Sequence, residues 1–240
     1  MARDLPSVGP PEGNIVYRVA RGFDAFAPPD WAFAREDGTF GNRFDDPGAY
    51  RGIPEENRFR VLYCATQPAG AFGETIARYR RSPGLLAKLQ QIETDEPPDP
   101  ELEGGVVPED FRLKRISGAT RLSDTLLFAD FMDGETLTIL GEELAQWLAR
   151  FDLDEIDLST ITSQHRRLTQ EAARYVYQLA NLSQTVFAGM RYVSRLHADW
   201  ELWAIFHDRL IHTPEETAGV IREDDPGLQD AARILGLRVK

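Results

Sequence analysis

Alternating apolar and polar positions predict a strand at residues 14–19 (NIVYRV), and the apolar run at 59–65 (FRVLYCA) predicts a buried one. A helix follows. Thr66 is its expected cap, Pro68 suits its first turn, and Phe72, Ile76 and Tyr79 fall on one face. Residues 80–84 (RRSPG) end it. Alternation returns at 111–116 (FRLKRI), and a short strand is expected at 126–128. Leu144, Trp147, Leu148 and Phe151 are helically spaced within 141–151. Ala172, Ala173, Val176, Tyr177 and Ala180 form a stripe on a second helix over 169–182. Residues 185–194 (TVFAGMRYVS) read as a strand around a glycine, 200–206 (WELWAIF) as a buried strand, and 226–235 as a short terminal helix.

Glycine, proline and aromatics crowd residues 21–59 without periodicity, which predicts loops with short ordered pieces. Residues 1–13 read as a loose leader. The acidic, proline-rich stretch 94–108 predicts an exposed loop, with an inserted segment over about 94–110. Strands and helices therefore occur without regular βαβ alternation. This predicts an α+β fold with mixed or antiparallel sheets and flanking helices, one domain over 14–240, rather than a doubly wound sheet. No Gly-rich dinucleotide fingerprint or P-loop supports a Rossmann or Walker site.

Composition narrows the function. The 240 residues carry a net charge of −12, which disfavours a nucleic-acid backbone as partner but leaves room for a local arginine pocket. No run approaches the roughly 20 apolar residues of a membrane span, and the N-terminus lacks a signal core, so a cytoplasmic location is expected. Cys64 is the one cysteine, so no intrachain disulfide forms, and within VLYCA it reads as a small core residue. His165, His197, His207 and His212 lack zinc-type spacing, and no metal is expected.

Several polar residues sit inside or beside apolar strands: Arg18, Arg43 after Gly41-Asn42, Tyr63 in the strongest strand, Glu74 eleven residues later, and Ser194. Singly, each has an ordinary structural explanation, such as an edge arginine, a loop anchor, a core aromatic, an exposed helical pair of Glu74 with Arg78, or a turn serine. As a set they resemble the RES domain family. The resemblance is carried by Gly41-Asn42-Arg43-Phe44-Asp45, by Val61-Leu62-Tyr63-Cys64-Ala65 followed by Glu74, and by Gly189-Met190-Arg191-Tyr192-Val193-Ser194-Arg195. Leu168-Thr169-Gln170 and the strand at 203–206 also fit, so the likeness spans about residues 14–210. Asn42 and Asp45 depart from the family's usual residues there, and extra residues, Asp45-Asp46-Pro47-Gly48 among them, lie between Arg43 and Tyr63.

The resemblance implies an ADP-ribosyltransferase-like fold and an enzyme that consumes NAD by breaking the nicotinamide–ribose bond. Phosphate (NAD phosphorylase) or water (NAD glycohydrolase) takes the ADP-ribose. It also implies a toxin paired with an Xre-like antitoxin, and leaves open a homo-oligomer. A protein mono-ADP-ribosyltransferase and an inactive RES-like binding module are the alternatives. NAD would be substrate and not a prosthetic group. Cleavage develops positive charge on the ribose, and Glu74 is the carboxylate expected to stabilise it. Arg18 and Arg43 would hold the pyrophosphate. Tyr63 would pack against the nicotinamide or position the ribose, and Ser194 would bond to either. Arg191 and Arg195 flank Ser194 and would add phosphate contacts, with Tyr192 lining the pocket. Nicotinamide departs neutral, so no general acid is required.

Overall fold

A computed structural model describes residues 3–89, 91, 104–181 and 185–240. Among these, eight strands form one sheet in the order β1-β6-β7-β8-β3-β2-β5-β9. They are β1 (Ser7–Val8), β2 (Ile15–Ala20), β3 (Val61–Ala65), β5 (Ile116–Leu122), β6 (Phe128–Asp130), β7 (Gly189–Val193), β8 (Glu201–Phe206) and β9 (His212–Val220). Only β6 and β7 run parallel; the other neighbours are antiparallel. A separate parallel pair joins β4 (Val106–Val107) to β10 (Arg238–Val239). The helices are α1 (Pro68–Ile76), α2 (Pro83–Leu89), α3 (Glu109–Leu113), α4 (Gly134–Glu143), α5 (Ala145–Phe151), α6 (Leu158–Thr162), α7 (Arg166–Gln178) and α8 (Pro226–Leu235). The architecture is α+β. No helix of the described residues is long and apolar enough to cross a membrane.

Period-two alternation gives the sheet two buried faces. Leu202, Ala204 and Phe206 of β8 join Met190 and Tyr192 of β7 in the larger core, against Phe72, Ile76, Leu168, Ala172, Ala173 and Val176 of the helices. Trp203 and Ile205 point the other way, with Val16, Leu62 and Cys64, onto a smaller core closed by Ala25 and Phe26 of the loop after β2. That two-sided burial is why 59–65 and 200–206 read as continuous apolar runs.

Several expectations are corrected. Residues 111–115 do not form a strand; β5 starts only at Ile116. Pro108 precedes a helical turn with Glu109 and Asp110 at its start, where acidic groups favour the helix dipole. Phe111 is thereby buried and Leu113 is exposed. Thr66 does not cap α1. Gln67 holds that position without a side-chain bond, while the Thr66 hydroxyl donates to Glu201 at 2.6 Å and accepts from Trp203 Nε1 at 2.9 Å. The helix expected over 141–151 is two helices meeting at Leu144, and the strand expected at 126–128 is shifted to Phe128–Asp130. The helix of 169–182 starts at Arg166 and closes as a 3-10 turn at Leu179–Asn181; residue 182 lies outside the described residues. Most of the acidic stretch 94–108 also lies outside them, but its end is not exposed loop, because Val107 is fully buried in the small sheet. Within the expected leader, Ser7–Val8 pair with Phe128–Ala129.

Candidate active site

Strands β2 and β3 pair through Tyr17 and Ala65. At the next positions, Arg18, Val19, Tyr63 and Cys64, a cavity of about 360 Å³ opens. Its other walls are Asn42 and Arg43, α1 from Gly70 to Glu74, Arg166 at the start of α7, and Tyr192 to Leu196. A cleft of this size suits a small molecule or part of a larger one. The register of the sheet explains the assembly. The partner of β3 is β8 and the partner of β8 is β7, so Tyr63 and Tyr192 lie on one face although 129 positions separate them.

Glu74 and Ser194 meet at the centre. Ser194 Oγ donates to Glu74 Oε1 at 2.6 Å, and the same oxygen accepts the Leu196 N–H at 3.0 Å. Ser194 is buried and Glu74 is exposed to the cavity. Arg43 stands opposite on a loop fixed at many points. Its Nη1 donates to the Ile161 carbonyl at 2.7 Å, and its own carbonyl accepts from Thr169 Oγ1 at 2.6 Å. Gln170 Nε2 donates to the Asn42 carbonyl at 3.1 Å. The Phe44 N–H donates to the Tyr63 hydroxyl at 2.9 Å, and buried Asp45 accepts the Asn42 N–H at 2.6 Å. Tyr63 therefore fixes the arginine loop as well as lining the cavity.

The site is cationic in an acidic protein. Arg18, Arg43, Arg166 and Arg195 line it against one carboxylate, Glu74. None of the four forms an ion pair with a described carboxylate. Burial lowers the Arg43 pKa; Arg166 and Arg195 push in the same direction, and Tyr192 and Glu74 oppose it. A partly dehydrated guanidinium with like-charged neighbours is stabilised by an incoming anion. Arg18 is partly committed: its Nη1 holds the Ala25 and Ala27 carbonyls, the latter at 3.0 Å, and ties down the loop after β2. Cys64 is no nucleophile, since burial pushes its thiol up to about 12.

Arg191 lies outside this cavity. Successive strand residues face opposite sides of a sheet, so Tyr192 lines the cavity while Arg191 joins Asp130 at 2.7 Å and Glu201 at 3.2 Å on the far face. Arg166 lines the cavity without belonging to any of the motifs above. Its signal was an Arg-Arg pair opening a helix, where positive charge is disfavoured by the macrodipole unless an anion compensates.

Burial holds the Tyr63 phenol neutral, aided by Asp45 and Tyr192, and burial with Glu74 does the same for Tyr192. Both folded pKa values stand above the ordinary 10.0. Their contribution to stability is complete below that unfolded value and is lost as pH rises through the folded ones. In an alkaline ultraviolet titration, these two phenols should ionise only as near-ultraviolet circular dichroism reports loss of the fold. Reversible ionisation of all seven tyrosines with the fold intact would contradict this burial.

An α+β protein with an arginine-rich cleft around a carboxylate–serine pair is thus defined. The RES domain family model matches residues 15–223, and the chain belongs to that family. Among solved structures, the chain is similar to one titled the crystal structure of the M. tuberculosis MbcT–MbcA toxin–antitoxin complex. The TM-score is 0.46 at 13% identity, covering 85% of this chain and 81% of that chain. No curated protein matches the sequence.

Proposed function

We propose that the protein cleaves the nicotinamide–ribose bond of NAD and passes the ADP-ribose to phosphate or water. The observation that carries this reading is one hydrogen-bonded carboxylate, Glu74, sharing a cleft with arginines that form no ion pair with a described carboxylate. NAD is a dianionic pyrophosphate whose reacting end is a cationic pyridinium riboside. The arginines suit the first part and the carboxylate the second.

In this reading Arg43, Arg166 and Arg195 hold phosphate oxygens by charge-assisted bonds. The carbon–nitrogen bond breaks with its electron pair moving to the ring nitrogen, and neutral nicotinamide leaves. Glu74 faces the oxocarbenium-like carbon, and Ser194, donating to Oε1, fixes the carboxylate. An acceptor oxygen then bonds to that carbon; water or monohydrogen phosphate gives up its proton to solvent. Tyr63 and Tyr192, both neutral, form the apolar wall.

The protein incubated with NAD should release nicotinamide, measured by chromatography, and ADP-ribose 1″-phosphate should replace ADP-ribose when phosphate is added. No loss of NAD under either condition would refute the reading. Arg166→Ala and Arg195→Ala should each raise KM about tenfold, the effect of one charge-assisted hydrogen bond of about 1.5 kcal/mol. Their kcat should hold, and raised salt should shrink the difference from wild type. As the RES family resemblance implies, the proposal extends to a growth-inhibiting toxin restrained by an Xre-like antitoxin. Expression should deplete cellular NAD and arrest growth, with relief by the product of a neighbouring reading frame.

A further inference from the structure

We propose that Trp200 is a positioning residue that sets the Glu74–Ser194 contact. Trp200 is buried, at 3% exposure, and stands where the β7–β8 hairpin meets α1. Its carbonyl accepts the Ser194 N–H at 2.9 Å, and its own N–H donates to the His197 carbonyl at 3.1 Å, which closes the turn that carries Ser194. Its indole lies on α1, on the face made by Gly70 and Gly73. A Cβ at Gly73 would stand 2.1 and 2.2 Å from Cζ3 and Cη2 of the indole, and a Cβ at Gly70 would stand 3.4 Å from Trp200 Cβ and Cγ. The helix therefore approaches the ring at backbone distance. Glu74 is the residue after Gly73, so the depth of this contact fixes where its carboxylate lies.

The other side of α1 is blocked. Gly227 of α8 sits against Pro68 and Phe72, where a Cβ would meet Pro68 Cβ at 2.7 Å. α1 is thus held between α8 and the indole, with little room to retreat. One residue sets both halves of the pair, Ser194 through its carbonyl and Glu74 through its ring. The inference on turnover rests on the NAD-cleaving reading; the inference on geometry does not.

Gly73→Ala, Trp200→Phe and the double variant test it. Gly73 has ordinary helical backbone, where alanine is favoured over glycine, so any loss comes from the collision with the indole. Phenylalanine lacks the two colliding ring atoms. Gly73→Ala should lower kcat at least about tenfold, as ångström-scale misplacement does, with KM little changed. The double variant should regain most of that loss. Crystal structures should show the 2.6 Å contact broken in Gly73→Ala and restored in the double variant. If Gly73→Ala does not fold, the double variant must be at least as active as Trp200→Phe alone, because the added methyl fills the space the ring vacates. Additive losses, or a contact that survives in Gly73→Ala, would overturn the proposal. So would a fall in melting temperature with unchanged kcat. If wild type leaves NAD intact, the reaction fails and the crystallographic comparison still decides the positioning role.

Discussion

Glu74→Gln should lower kcat for nicotinamide release by about a hundred- to a thousandfold, the usual cost of removing one preorganised electrostatic partner of a transition state. Glutamine keeps the shape, and its amide oxygen still accepts from Ser194 Oγ, so the variant isolates the charge. KM should stay level or fall, because Glu74 is the one carboxylate among the described residues that opposes the arginines that would hold an anionic substrate. Stability should hardly move. Glu74 is exposed, and Ser194 Oγ keeps its bond from the Leu196 N–H at 3.0 Å. Steady-state kinetics beside a thermal melt separate the two quantities. An unchanged kcat would place the developing charge elsewhere in the cleft. A collapse in melting temperature would mean that Glu74 holds the fold.

Much of this was legible where signals are local. The terminal helix Pro226–Leu235 follows from Asp225 as its cap, proline in the first turn and Gly236 in left-handed geometry at its end. The same kind of signal failed at Phe111, where alternation outweighed a proline-preceded acidic turn that favours a helix. Strand β9 went unread because Pro214, Glu215 and Gly219 suit an edge strand, which needs no apolar alternation. In the cleft, Arg43, Tyr63, Glu74 and Ser194 stand out by their resemblance to a family pattern, and the sheet, helix α1 and the loop before β3 bring them around one cavity. Arg191 and Tyr192 were expected to share that cavity, although adjacent strand residues diverge. Arg166 and Trp200 were not singled out. Their parts come from tertiary contacts, which a charge at a helix start or a lone tryptophan does not announce.

Asp46→Ala should destabilise the protein by about 3–5 kcal/mol, the cost of leaving one member of a buried ion pair without its partner. Asp46 accepts from Arg174 Nη1 at 2.7 Å, from the Phe59 N–H at 2.9 Å and from the Gly48 N–H at 2.7 Å, and its side chain is wholly buried. Alanine would orphan all three donors. Arg174 is also buried, at 8% exposure, and its Nε has no hydrogen-bond partner among the described residues. Pairing Asp46→Asn with Arg174→Met should recover much of the loss, since asparagine keeps an acceptor and the stranded charge is gone. Denaturant unfolding of wild type, Asp46→Ala and the double variant measures this. Equal losses in the last two would mean that the stranded Arg174 charge is not what costs the stability. Asp45 and Asp46 thus form the inner fixings of the loop carrying Arg43. Asp45 ties that loop to Asn42 and Tyr63, while Asp46 ties it to α7 and to the entry of β3. The activity that Asp46→Ala retains in its folded fraction should therefore fall through KM, because the substitution loosens one fixing of the loop whose Arg43 would hold phosphate.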